Sequence, residues 1–422
     1  MTLHRYPGPQ TSLIEGLSFR HGGCTYQGTN GFLSWKPTEG FHIEAKVKLI
    51  EGRKPSVIEF QSGPYQPAVI TVSMDLEWGV KAIAQDVPLV YDDMLLTSDR
   101  LAADVAAMRF ESARERPTAL PEWNGRATYS FRSPNHLLYV IPRTTLFPRT
   151  KAQQTEYLPA FEHKEDSGET FIGSVPSDGE LEVHFALPKG RWSQDEAWAW
   201  PEALGWTLCL IYGTTAPLLW REMECDSHTR TEVKAKAPTR SVWFLNEMAD
   251  FERHITYIQT LTAYFAKGGE HALTCRKMIA QINSAAGQGS NAAAELLLAT
   301  IMEAVFRSVY NEPFRVGGAD INLHNKKPDF IGRFLTDEWT EVCSYALEVQ
   351  RRLRLRNAHP DWMGTDPTVK PWTSTDVRLA DMQFLARFYR GLVMAFAGIK
   401  DAELRQLQLM LKNAPAEPEQ DS

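Results

Sequence analysis

"DSHTRTEVKAKAPTR", residues 226 to 240, is where the chain changes its hydrophobic period. On its N-terminal side apolar residues recur at every second position, and beyond it they recur three and four apart. The stretch itself is polar and offers no evident core, so it reads as a connecting segment. We therefore expect a β-rich domain over 1–225, a linker over 226–244, an all-α bundle over 245–412 and a disordered tail over 413–422. The fold class is α+β, with a sandwich-like β domain preceding a helical bundle.

The β reading rests on alternation. "FHIEAKVKL" places Phe41, Ile43, Ala45, Val47 and Leu49 on one face and His42, Glu44, Lys46 and Lys48 on the other, as a half-buried strand requires. "LEVHFAL" repeats the device through Leu181, Val183, Phe185 and Leu187, and "SVIEF", "AVITVSM", "ATYSF" and "LLYVI" are further β-rich runs between turn residues. Many short strands with turn signals predict an antiparallel sandwich or a curled sheet. One interruption, "SDRLAADVAAMRFESARER", predicts a helix capped by Ser98 or Asp99.

Past the boundary, "FLNEMADFERHITYIQTLTAYFAKGG" predicts a helix ended by a glycine pair, followed by a second over about 270–284. A third starts at Ser290 or Asn291 and carries Glu303 and Arg307 four apart. A fourth, from about 337, puts Trp339, Val342, Ala346, Val349 and Leu353 on one stripe. A fifth does the same with Leu379, Met382, Leu385, Tyr389, Leu392 and Phe396. The link "NEPFRVGGADINLHNKKPDFIGRF" between the third and fourth reads as irregular, with Asp320 and His324 in it.

Bulk properties narrow the function. A net charge of −7 argues against whole-surface binding to nucleic acid, although a local basic groove is compatible with it. Five cysteines, an odd number without CxxC, fit neither a disulfide framework nor a zinc site, and point to a reducing cytoplasm. The N-terminus lacks a signal pattern, and the apolar run "LGWTLCLIYGTTAPLLW" is broken by Gly, Thr and Pro, so no membrane span is expected. There is no HExxH, GxSxG or P-loop, and "AAGQGSNAAAELL" follows a helix where a dinucleotide fingerprint would follow a strand. Trp192, Trp198, Trp200 and Trp206, close together, suit core packing better than a stacking platform.

Chemistry concentrates at the end of the fourth helix, "RRLRLRNAHPDW", residues 351 to 362. Arg354 and Arg356 flank the apolar stripe on opposite sides. His359 precedes a proline and so falls just past the helix, where the macrodipole favours a protonated imidazole. A histidine there can exchange protons near neutrality, and an arginine about a turn away can hold a phosphate by charge-assisted bonds. The plain alternative is a solvated helix face with Glu348 pairing Arg352 or Arg351.

"RLRNAH", Arg354 to His359, resembles the R-x4-H signature of the HEPN superfamily of helical bundles, and a β-rich domain ahead of such a bundle resembles the ApeA-type bacterial anti-phage defence proteins. The resemblance implies a metal-independent endoribonuclease, needing no cofactor, in which a ribose 2′-hydroxyl attacks the adjacent phosphate. Arg354 and His359 would be catalytic, with Arg356, Asn357 and Glu303 supporting them and Arg351 and Arg352 contacting RNA. It further implies a homodimer through the helical domain, RNA such as tRNA as substrate, and a phage-derived trigger sensed by the β domain. In the family pattern the residue after the arginine is often Asn, Asp or His; here it is Leu355, and Asn357 stands beside Arg356, so both arginine registers remain open. The second hypothesis is a bundle that only dimerises or binds nucleotide, with the β domain recognising a protein or glycan.

Overall fold

In the computed structural model the described residues are 10–21, 23–52, 69–77, 80–88, 100–113, 121–131, 157–164, 170–176, 180–225, 228–237, 239–242, 244–245, 248, 253–288, 291–310, 323–358 and 375–413. The fold is mixed α+β. Strands are β1 (Gln10–His21), β2 (Cys24–Lys36), β3 (Gly40–Glu51), β4 (Val69–Leu76), β5 (Val80–Pro88), β6 (Arg100–Val105), β7 (Ala107–Ala113), β8 (Trp123–Ser130), β9 (Tyr157–Lys164), β10 (Thr170–Pro176), β11 (Glu180–Leu187), β12 (Leu218–Cys225) and β13 (His228–Lys234). Helices are α1 (Gln194–Tyr212), α2 (His254–Ala266), α3 (Ala272–Ala286), α4 (Asn291–Tyr310), α5 (Leu323–Phe334), α6 (Thr340–Ala358), α7 (Thr375–Phe396) and α8 (Leu404–Lys412).

Contacts divide the chain into two units, 1–201 with 217–238 and 202–216 with 239–422, so the backbone passes between them three times. The first unit holds one antiparallel sheet of 13 strands in the order β6-β3-β2-β1-β4-β5-β7-β13-β12-β8-β11-β10-β9. Of the sandwich and the curled sheet that the alternation allowed, the described residues form the second, a single sheet that curls. Five strand spacings separate β3 from β7, about 24 Å if flat, yet the rings of Phe41 and Phe110 on those strands are 5.9 Å apart. The curl encloses the inward residues Ile14, Leu33, Trp35, Ile43 and Val72, joined by Trp220 and Val233 from the next strands.

Two expectations are corrected here. Residues 100–113, expected as a helix, are β6 and β7. Leu101, Ala103 and Val105 are buried while Asp104 is exposed, a period of two, because β6 pairs along β3 (Ala103 opposite Ile43). The expected linker is also partly sheet: β13 lies between β7 and β12, burying Thr231 and Val233 on one face. Its other face carries Arg230, Glu232 and Lys234, whose charges find partners on neighbouring strands or on β13 itself.

On the face opposite that core, Trp123 Nε1 donates to the Trp192 carbonyl at 3.2 Å and Tyr129 Oη to the Pro201 carbonyl at 2.6 Å. Trp192, Trp198 and Trp200 are buried, and Trp200 stacks on Phe185 at 4.5 Å, so packing is what these tryptophans do. Gly125, directly opposite Phe185 in the β8–β11 register, leaves room for that ring, and an added Cβ would overlap it. Gly125→Ala is expected to destabilise by about 1–3 kcal/mol through overpacking. The check is a urea midpoint; an unchanged midpoint would mean that Phe185 can leave its stack without cost.

In the second unit the predicted helices appear as α2, α3, α4, α6 and α7, the first of them starting at His254 where the apolar spacing began at Phe244. Gly268, at φ 67°, ends the turn after α2, a left-handed position that glycine adopts without a Cβ penalty. Trp339, Val342, Ala346, Val349 and Leu353 are all fully buried, as their stripe requires. The link expected to be irregular contains α5, so half of it is a further helix. Ser98, Asp99, "SVIEF", "LLYVI", Ser290, Asp320, His359 and residues 414–422 lie outside the described residues. No helix among the described residues is long and apolar enough to cross a membrane.

Candidate functional site

Three helices of the second unit bring the arginine-rich turn into contact with carboxylates. On α4, Glu295, Ala299 and Glu303 are four apart and so lie in one line along the helix. Each meets a polar group from another helix. Arg378 Nε of α7 donates to Glu295, whose side chain is fully buried. Gln350 Nε2 of α6 donates to the Ala299 carbonyl at 3.1 Å. Arg354 Nη1, one turn further along α6, donates to Glu303.

A second network lies between α6 and α7. Arg352 bridges Glu348 on its own helix at 2.7 Å and Asp381 of α7 at 2.9 Å. Asp381, only 2% exposed, also accepts from Tyr345 Oη at 2.8 Å. Burial, reinforced by the neighbouring Asp381 charge, raises the Tyr345 hydroxyl well above its usual range and keeps it a donor. Tyr389 of α7, also raised by burial, donates to the Leu298 carbonyl at 2.8 Å and pins α7 to α4.

The arginines of the motif therefore divide into distinct environments. Arg351 is exposed, as an RNA contact needs to be. Arg352 was expected to contact RNA as well; it is buried in ion pairs, because the wheel turns it toward Asp381 while Arg351 faces out. The expected Glu348 to Arg352 pair is present. Arg354, 37% exposed, sits beside Glu303, 20% exposed, and pairs with it. Arg356 and Asn357 occupy the last turn of α6, and His359 lies outside the described residues.

Glu303 is thus brought to Arg354 by the fold, where the sequence offered Arg307 as its neighbour on α4. The Glu295–Arg378 and Arg352–Asp381 pairs escaped the sequence reading. The available signal was a glutamate inside the otherwise apolar "AAAELLLATIMEAVF", which demands a buried cation. Comparison of the chain with family models, curated proteins and solved structures returns no match.

Proposed function

We propose that the second unit is a HEPN-like bundle and that the protein is a metal-independent endoribonuclease of the anti-phage defence type, acting in the cytoplasm as a homodimer. The observation that carries the reading is Arg354: a rim guanidinium at the C-terminal turns of α6, oriented by Glu303, five residues ahead of His359. In this reading the ribose 2′-oxygen bonds to phosphorus as the P–O5′ bond breaks, leaving a 2′,3′-cyclic phosphate and a 5′-hydroxyl. His359 moves the proton between these oxygens, and Arg354 holds charge on the non-bridging oxygens. Arg351 contributes phosphate affinity; Arg356 and Asn357 support the same turn.

One observation favours the non-catalytic alternative. Arg352, Arg354 and Arg378 each bond a carboxylate on another helix, so interhelical pairing alone accounts for them. In that case the bundle serves dimerisation or nucleotide binding, and the β-rich unit recognises a protein or glycan.

Incubating the purified full-length protein with tRNA and with total RNA in excess chelator separates the two. The nuclease reading expects fragments ending in cyclic phosphate, absent for His359→Ala. Cleavage that needs magnesium, or cleavage that survives His359→Ala, overturns it, and intact RNA throughout favours the binding module.

A further inference from the structure

We propose that the charged face of β7, β12 and β13 in the first unit is a binding site for a phosphate-type oxyanion, centred on Arg109. Cross-strand partners in an antiparallel sheet share a face, as do residues two apart on one strand. The register aligns Arg109, Glu232 and Arg221 in one row and Lys81, Glu111 and Arg230 in the next. Lys234, two residues beyond Glu232, joins the same face. On β7, β12 and β13 four cations, Arg109, Arg221, Arg230 and Lys234, thus share a face with two carboxylates, within a chain whose net charge is −7, while Lys81 on β5 has Asp75 opposite it.

The two carboxylates are already engaged. Glu232 lies 2.7 Å from Arg221 and 3.7 Å from Lys234, and Glu111 lies 3.2 Å from Arg230. Arg109 has no carboxylate within ion-pair distance among the described residues, and the Trp198 ring lies 5.6 Å from its guanidinium carbon. Its Nε is buried without a hydrogen-bond acceptor, as are Trp198 Nε1 and, within residues that keep their ion pairs, Arg221 Nε and Arg230 Nε. Buried donors without acceptors on a face of surplus positive charge call for an anionic acceptor.

The ring itself fixes what kind of anion fits. Arg221 and Arg230 each hold a guanidinium 4.0 Å from the centre of Trp198, which is 7% exposed. Those cation–π contacts account for Arg221 and Arg230 as a clamp on the helix that carries Trp198, but leave Arg109 unexplained. They also occupy the indole, so no base can stack there and the ligand is held by its charge. Burial, then the charge of Arg109, pulls the Arg230 guanidinium down to about 10, a mutual repulsion that a bound oxyanion would relieve.

Calorimetric titration of the full-length protein at low salt tests this with inorganic phosphate, AMP and an oligothymidylate, which lacks the 2′-hydroxyl and so is not turned over. Saturable binding of at least one is expected, at least tenfold weaker in Arg109→Gln, partly retained in Arg109→Lys and unchanged in Arg126→Gln on the opposite face. Phosphate or AMP binding identifies a small phosphate ligand; binding of the oligomer alone identifies a nucleic-acid backbone. Absence of saturable binding by the wild type, or affinity that ignores Arg109→Gln in a variant with an unshifted melting temperature, overturns the site.

Discussion

Arg352→Ala is expected to lower the stability of the helical unit by about 3–5 kcal/mol, the largest loss from any single change in the arginine-rich turn. The reason is what stays behind. Asp381 is 2% exposed and would keep the Tyr345 hydroxyl as a donor but lose the Arg352 guanidinium, leaving a charge-stripped carboxylate that water cannot reach. Glu348, half exposed, can turn to solvent and adds little. The size of the loss belongs to stranding a buried charge, so removing both partners should cost far less than removing one. Arg352→Leu combined with Asp381→Leu is expected to recover most of the stability, because an apolar pair of similar volume is often neutral in such a place. Urea unfolding followed at 222 nm reads both variants. A single-variant loss under about 1 kcal/mol, the range of an exposed pair, would mean that Arg352 faces solvent and is open to RNA after all.

Whether such a pair could be read in advance depends on how local its causes are. The stripe Trp339, Val342, Ala346, Val349 and Leu353 needed only helical spacing, and all five are buried. The alternation in residues 41–49 needed only the pleat of a strand, and Phe41, Ile43, Ala45 and Val47 point inward. Residues 100–113 failed because alanine-rich sequence favours helix by local propensity, while the outcome was set by β3, some sixty residues earlier, which offers its edge to β6. Strand β13 failed for a related reason: "TRTEVK" looks coreless until Arg221 and Glu111 on neighbouring strands are present to take its charges. Helix α1 was hidden by Pro201 and by being apolar on nearly every side, which removes the periodicity a helix is recognised by.

The site divides along the same line. Arg351 and Arg352 are adjacent and chemically identical; helical phase turns Arg351 outward and Arg352 inward, but nothing within the turn tells whether an inward cation is paired. The distinction comes from Asp381, on a different helix. Glu303 was legible as a misfit on an apolar helix, but its tie to Arg354 required the packing of α4 against α6. What the sequence could not supply in each case was a long-range partner, and long-range partners set the burial and orientation of Arg352, Asp381, Glu295 and Arg378.

Under the nuclease reading, Arg354→Ala is expected to reduce RNA cleavage by about 10²–10³-fold, the usual effect of deleting one group that stabilises charge in the transition state. His359→Ala is expected to lose about 10²–10⁴-fold, as for a general acid or base. The informative partner is Glu303→Gln. The Glu303–Arg354 pair is part exposed, so its removal changes stability by only about 0–1 kcal/mol, and glutamine keeps an acceptor for the guanidinium while freeing its full charge for phosphate. If Arg354 works on the substrate, Glu303→Gln retains turnover and tightens RNA binding, and Arg354→Lys recovers only part of the rate because an ammonium lacks the planar fork. If Arg354 is a strut between helices, Glu303→Gln and Arg354→Ala instead shift the melting temperature together and leave RNA untouched. Arg356→Ala decides the register: a loss matching that of Arg354→Ala would place the working arginine two residues nearer the end of α6. Cleavage assays in chelator, run beside thermal melts of the same preparations, read rate and fold separately.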